Sequence, residues 1–196
     1  MSGSDKSLMN LGRETFSSLT SLNFRWYCLG VLGSLIGSIM QEIVVAWIAF
    51  EMTGSSFTLG SILFCFQVPM IVIGLAGGWA ADRFNRKKII VITQFLALGV
   101  CLTWLTLSPL STLEVWHLYA LSFVFGSIGA FEIPSRFAIV PQLVKQKDIL
   151  NAFSMDSLLF YCGRVGGPAI AAVCLALFGP TWCFVINALT YVLELL

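Results

Sequence analysis

Four ionisable residues, Glu42, Glu132, Asp156 and Arg164, stand inside long apolar runs, and a compact charged cluster, Asp82-Arg83 with Arg86-Lys87-Lys88, separates two of those runs. A charge in an apolar medium costs roughly 2.5 to 3.5 kcal/mol near the centre of a membrane helix if it is unpaired. Such groups must therefore pair with one another, or change protonation as their surroundings change. Hydrolysis has no comparable footing: there is one histidine, His117, no HExxH, and no Ser or Cys set beside an evident base, so the chain reads as a non-enzyme. The six cysteines, Cys28, Cys65, Cys101, Cys162, Cys174 and Cys183, are scattered singly without CxxC spacing. They read as reduced packing residues, and neither a metal nor a cofactor is expected.

The elements that must hold these charges are set by composition. Of the 196 residues 58% are apolar and only 11% are Asp, Glu, Lys or Arg, and the mean hydropathy is +0.89. No water-soluble core of this size can hide so much apolar surface, so lipid is the expected solvent and the lipid bilayer the first partner. The basic residues form short connections rather than one contiguous face, which excludes nucleic acid as a partner.

A spanning helix rises about 1.5 Å per residue across about 30 Å of hydrocarbon, so it needs roughly 20 residues with few charges. Six such runs lie near residues 26–50, 57–81, 88–109, 115–138, 151–177 and 180–196. Turn chemistry separates them at Thr53-Gly54-Ser55-Ser56, Asp82 to Lys88, Ser108-Pro109, Pro141 to Asp148 and Gly179-Pro180. Unpaired backbone amides are not tolerated in lipid, which makes these runs helices, and nothing shows the ten-residue alternation of a barrel. The expected fold is all-α, a polytopic six-transmembrane-helix bundle over residues 25–196 preceded by a polar tail, residues 1–24. In that tail Leu8, Leu11, Phe16, Leu19 and Leu22 either line one stripe on the inner headgroups or belong to a disordered segment.

Basic residues resist translocation, and their distribution sets the orientation. Lys6, Arg13 and Arg25 precede span 1, Arg83, Arg86, Lys87 and Lys88 lie between spans 2 and 3, and Arg136, Lys145 and Lys147 follow span 4. The alternate connections, around Glu51, Glu114 and Gly179, carry none. A cell inner-membrane protein with a cytoplasmic amino terminus follows. The polar tail lacks the order of a cleaved secretory signal and is expected to remain. Trp26, Trp116, His117 and Trp182 fall near the interfaces, where amphipathic rings are enriched.

Gly37-Ser38-Ile39 recurs as Gly126-Ser127-Ile128, and Gly74 with Gly77-Gly78 recurs as Gly163 with Gly166-Gly167, both at an offset of 89 residues. Short matches in Gly-rich helices also arise by chance. Taken as a repeat, they pair spans 1 to 3 with spans 4 to 6 as two inverted three-helix units, and make span 6 the counterpart of span 3, with the chain ending near the last turn of that helix.

Two motifs carry mechanism. Gly78-Trp-Ala-Ala-Asp82-Arg83-Phe-Asn85-Arg86-Lys87-Lys88 is GxxxDRxxRKK in a short cytoplasmic connection. There Asp82 can cap a neighbouring helix terminus while Arg83 and Arg86 reach carboxylates or headgroups, a latch that must break for the two sides to move; alternatively the cations simply anchor the inside. On span 5, Gly163-Arg-Val-Gly166-Gly167-Pro168 puts Gly163 and Gly167 on one face, where backbones approach closely, and Pro168 removes a helical hydrogen bond.

The first motif resembles the signature of the major facilitator superfamily, with Asn85 where glycine is commoner; Asn tolerates a left-handed backbone, so the tight turn can survive. The second resembles the exporter motif of that superfamily, in which span 5 approaches a helix of the other half. From Asn23 onward the chain is similar to the amino-terminal half of the enterobactin-exporter-like branch, including Phe131-Glu-Ile-Pro-Ser-Arg136 through Pro141-Gln-Leu-Val to Asn151-Ala. The resemblance implies half of a major facilitator fold, secondary export of a small amphipathic molecule such as a drug, siderophore or lipid, and a proton gradient as the drive. It also implies a second six-helix bundle, either a further half or a second copy; failing that, the chain is a non-transporting fragment or interaction module.

Depth suggests partners for the charges. Counted at about 1.5 Å per residue, Glu42 lies about 24 Å and Arg164 about 20 Å from the cytoplasmic ends of their spans, level enough to pair. Glu132 and Arg136 can pair along one helix, across the intervening Pro134. With Asp82, Arg83 and Asp156 they are expected to make an inner-mouth cluster. Either these pairs lock the bundle, or Glu42 or Glu132 exchanges a proton as the cavity switches sides. Gln41, Gln67, Trp47, Phe66, Phe160 and Asn187 are candidate cavity-lining residues.

Overall fold

The structure is a computed structural model that describes residue 18 and residues 21–108 and 113–195. Most of the expected tail, its apolar stripe up to Leu19, and Pro109 of the third turn lie outside the described residues. The described chain forms six helices: α1 (Leu22–Thr53), α2 (Ser56–Arg83), α3 (Arg86–Leu107), α4 (Val115–Leu143), α5 (Ile149–Phe178) and α6 (Pro180–Leu195). A short 3-10 turn, Gln146–Asp148, leads into α5. The first five are long and apolar enough to cross a membrane, and α6, with 16 described residues, is a shorter apolar helix.

Local chemistry sets the ends. Gly54, in the left-handed region at φ 64°, stops α1 and donates its N–H to the Phe50 carbonyl, a conformation that glycine adopts without the usual Cβ penalty. Ser55 then caps α2 through the Thr58 N–H. Asn85 caps α3, its side chain accepting from the Lys88 N–H at 3.3 Å. Its backbone is extended, at φ −68° and ψ 110°, rather than left-handed. What the connection uses is therefore the capping amide of Asn and not its tolerance of positive φ.

At the opposite end Glu114 and His117 form a reciprocal capping box: the Glu114 side chain accepts from the His117 N–H while His117 Nδ1 accepts from the Glu114 N–H at 3.1 Å. The Trp116 indole also donates to Glu114, at 2.8 Å. The interfacial histidine thus starts a helix by filling the place that Glu or Gln takes in the usual box.

The packing repeats. The broadest contacts are α2 on α4 and α1 on α5, followed by α1 on α6 and α3 on α4. Mapping α1, α2 and α3 onto α4, α5 and α6 exchanges the members of each of these pairs, and α3 against α6 maps onto itself. The bundle is thus two inverted three-helix units. Helices cross closely where glycine replaces a side chain: a Cβ on Gly77 of α2 would strike the Ala130 carbonyl of α4, and one on Gly126 of α4 would strike the Phe66 carbonyl of α2. In the second unit a Cβ on Gly167 of α5 would lie 2.8 Å from Ile39 of α1.

One core, around Met40, Val44, Ile62, Cys101, Trp104 and Phe184, fills the middle, with the Trp104 and Phe184 rings stacked at 5.8 Å across α3 and α6. A second, around Phe24, Cys28, Val140, Ala152 and Met155, closes the end where α1 begins and α4 passes to α5. There Ser21 Oγ donates to the Leu143 carbonyl at 2.8 Å, and Ser18 bonds the Asn151 side chain. Arg83, Arg86, Lys87, Lys88, Lys145 and Lys147 lie at that same basic end.

Candidate functional site

The deepest charged cluster is built on α4. Successive turns of this helix place Glu132 and Arg136 on one face, and the helix runs unbroken through Pro134, so their pair closes at 3.1 Å. Arg136 also meets Glu194 of α6 at 3.6 Å, and each of these side chains is 13% exposed or less. Gln94 of α3 donates to the same Glu132 oxygen at 3.1 Å. Beside them Tyr27 of α1 donates its hydroxyl to Asp156 of α5 at 3.0 Å, and Arg136 lies within the field of both. Five of the six helices thus meet around one guanidinium.

Three carboxylates facing one cation leave the cluster short of positive charge. Glu132 is held by two donors, whereas Glu194 Oε2 and Arg136 Nη2 are buried without a hydrogen-bond partner. Buried groups left in this way are expensive, and they mark places where a rearrangement gains contacts.

Of the expected inner-mouth cluster, Glu132, Arg136 and Asp156 come together, but Asp82 and Arg83 do not join them. Both are exposed at the end of α2, and the Arg83 guanidinium lies over the Trp79 ring, 5.6 Å from its centroid. The residue that fastens this connection is Arg86. Its Nε donates to the Ala81 carbonyl at 3.1 Å and its Nη1 to the Ala138 carbonyl of α4 at 3.2 Å. Lys87 and Lys88 are exposed. A Cβ on Gly78 would meet nothing within 4 Å, while its neighbour Gly77 carries the α2–α4 crossing.

The second region lies at membrane depth on the outside of the bundle. Glu42 of α1 is half-buried and accepts from Gln67 Nε2 of α2 at 3.4 Å. Arg164 of α5 is exposed and lies over the Phe160 ring at 5.5 Å. The expected ion pair between Glu42 and Arg164 is not formed: they are near enough for the charge of Arg164 to act on Glu42, but each has taken a neighbour instead. Depth alone could not resolve this, because equal heights say nothing of lateral separation. Trp47, 48% exposed, and Phe160, 39% exposed, also remain on the outside.

Three expected lining residues lie inside. Gln41 and Asn187 are fully buried, with Asn187 Nδ2 donating to Gln41 Oε1 at 2.7 Å, and Phe66 belongs to the core. This amide pair joins α1 to α6 beside Ser38 and Tyr191, whose hydroxyls lie 2.9 Å apart. Gly37 makes the room, since a Cβ there would strike the Asn187 side chain. The span 5 motif is likewise turned inward: Gly163 and Gly167 are buried against Leu35, Ile36 and Ile39 of α1, so that face is already used within this bundle and is not free for another half. Pro168, one residue on, is half-buried in an unbroken α5.

Sequence reasoning missed Glu194, Tyr27 and Gln94. Glu194 and Gln94 carried the same signal as the residues it chose, a polar group in an apolar run.

Comparisons with known proteins agree with this architecture. The family described as transmembrane secretion effector matches residues 13–196. The chain is similar to an uncharacterized MFS-type transporter of Bacillus subtilis strain 168, at 29% identity over 145 residues, covering 74% of this chain and 34% of that protein. It is similar to the staphyloferrin A transporter of Staphylococcus aureus, at 28% over 167 residues, covering 82% and 41% respectively. It is also similar to the enterobactin exporter EntS of Shigella dysenteriae, at 30% over 135 residues, covering 67% and 32%. The chain therefore spans between about a third and two fifths of the length of these relatives. No solved structure matches it significantly.

Proposed function

Since the chain belongs to the transmembrane secretion effector family of major facilitator transporters, we propose that it is the amino-terminal half of a secondary exporter of a small amphipathic molecule. It sits in the cell inner membrane, with its amino terminus and basic connections in the cytoplasm. A drug, a siderophore or a lipid is the substrate class; the names of the relatives support the siderophore and, through a macrolide efflux protein of Streptococcus pyogenes, the drug. A proton gradient drives the cycle, and the chain performs no enzymatic chemistry.

The observation that carries the reading is the outward polar face at membrane depth: Glu42 with Gln67, and Arg164 over Phe160. Ionisable groups at that depth do not face hydrocarbon; they face protein or a water-filled cavity. Five helices already enclose the cluster around Arg136, so the face left over is where a second six-helix bundle stands across a cavity. Glu42 and Arg164, not paired with each other, then serve as the proton-side and substrate-side groups respectively. The cluster of Glu132, Arg136, Asp156 and Glu194 is the switch at the cytoplasmic mouth, since its carboxylates compete for one guanidinium. Gly78, open on this bundle, and Asp82 and Arg83, exposed beside it, form the latch against the second bundle; Arg86 holds the latch in place.

The test is transport into everted membrane vesicles that carry the complete transporter, with a fluorescent amphipathic cation supplied outside. Uptake into the vesicles on imposing a proton gradient, abolished by Glu42→Gln with normal membrane insertion, supports the proposal. Uptake unchanged by Glu42→Gln removes Glu42 from the mechanism.

A further inference from the structure

Between α3 and α4 runs a furrow of about 390 Å³ walled by Ile89, Ile92 and Leu96 on one side and Val124, Ile128 and Phe131 on the other. It follows the helix axes, because residue 89 stands opposite residue 131 and residue 96 opposite residues 123 and 124 in antiparallel helices. The rise along α3 from Ile89 to Leu96 gives it a length of about 10 Å. Two hydroxyls line it, and both are turned away: Thr93 donates to the Ile90 carbonyl at 2.8 Å and Ser127 to the Phe123 carbonyl at 2.8 Å. The furrow therefore offers a ligand carbon surface and no hydrogen bond.

Its two ends differ. The lower end, at Ile89 and Phe131, reaches the first turn of α3, where Arg86 bridges to the Ala138 carbonyl of α4. Lys88 stands beside Ile89 and one turn below Ile92, is exposed, and forms no ion pair with any described residue. An apolar channel that begins at an uncommitted cation, on the same end of the bundle as Lys87, Lys145 and Lys147, matches one ligand chemistry: a hydrocarbon chain with an anionic head.

We propose that the furrow between α3 and α4 seats one acyl chain of an anionic phospholipid, with its phosphate held at Lys88. The seat is built from α3 and α4, whereas Glu42, Gln67 and Arg164 stand on α1, α2 and α5, and it does not depend on what the protein exports. Occupancy fills the notch between two helices that otherwise meet at their buried edges, and so steadies α3 against α4.

Native mass spectrometry of the detergent-extracted chain, titrated with phosphatidylglycerol or with phosphatidylcholine of identical chains, reads this directly. The expected result is a several-fold excess of retained phosphatidylglycerol. Lys88→Gln brings the two lipids to equal retention, and Ser127→Phe, which fills the furrow, lowers retention of both. A thermal melt shows whether Ser127→Phe is folded; if it is not, Lys88→Gln alone decides. Equal retention by the unmodified chain, a preference that survives Lys88→Gln, or a dimer mass in place of lipid adducts overturns the proposal.

Discussion

Arg136 on α4 and Glu194 on α6 meet at 3.6 Å inside the basic end of the bundle, while Arg136 also holds Glu132 at 3.1 Å one turn earlier on its own helix. The guanidinium thus ties together the two ends of the second inverted unit, since α4 opens that unit and α6 closes it. Removing the cation leaves two buried carboxylates facing each other. Arg136→Ala is expected to destabilise the bundle by about 3 kcal/mol, and Glu194→Gln by less, because Glu132 keeps its bonds to Gln94 and Arg136. Thermal unfolding in detergent, followed by tryptophan fluorescence, gives the order of the two.

Adjacent glycines in the α2 motif are expected to behave differently. A methyl on Gly77 collides with the Ala130 backbone, which cannot move aside as a side chain can, so Gly77→Ala costs about 1 to 3 kcal/mol. Gly78 faces open space, and Gly78→Ala leaves stability unchanged or slightly raised through helix propensity. If the second bundle packs there, Gly78→Ala nevertheless lowers efflux by the complete transporter. Melting temperature and vesicle uptake, measured on both variants, separate the two roles.

Orientation has a chemical readout. Cysteines placed at Lys147 and at Ser55 lie in connections at opposite ends of the bundle. A membrane-impermeant maleimide added to intact cells is expected to label Ser55→Cys and to spare Lys147→Cys until the membrane is opened. The reverse pattern would place the basic end outside and refute the charge-based topology.

Much of the fold was legible because the bilayer imposes length and composition limits that few residues can disguise. The six runs, the break at Gly54 and the stop at Gly179 coincide with helices and turns, and α1 and α4 extend beyond the apolar stretches at the basic end. The inverted repeat was legible only as scattered glycines, and these include residues, such as Gly77, Gly126 and Gly167, that mark the close helix crossings. Side-chain partnerships were less accessible. Glu132–Arg136 followed from helical spacing alone, whereas Glu42 and Arg164, counted as level from rise per residue, each take another neighbour, a choice that rise per residue does not encode. Gln41 and Asn187 looked like cavity residues because they are polar, yet a buried amide pair joins them inside the bundle.

The central claim is that the face bearing Glu42, Gln67 and Arg164 borders a water-filled cavity rather than lipid. It is tested most directly by Arg164→Cys in a Cys162→Ser background of the complete transporter, exposed in permeabilised membranes to a cationic methanethiosulfonate. The expected result is reaction at a rate near that of Lys147→Cys in its aqueous connection, slowed by an exported compound, while Leu193→Cys on the exposed flank of α6 stays inert. An Arg164→Cys thiol as unreactive as that of Leu193→Cys would put the face in hydrocarbon and contradict the account.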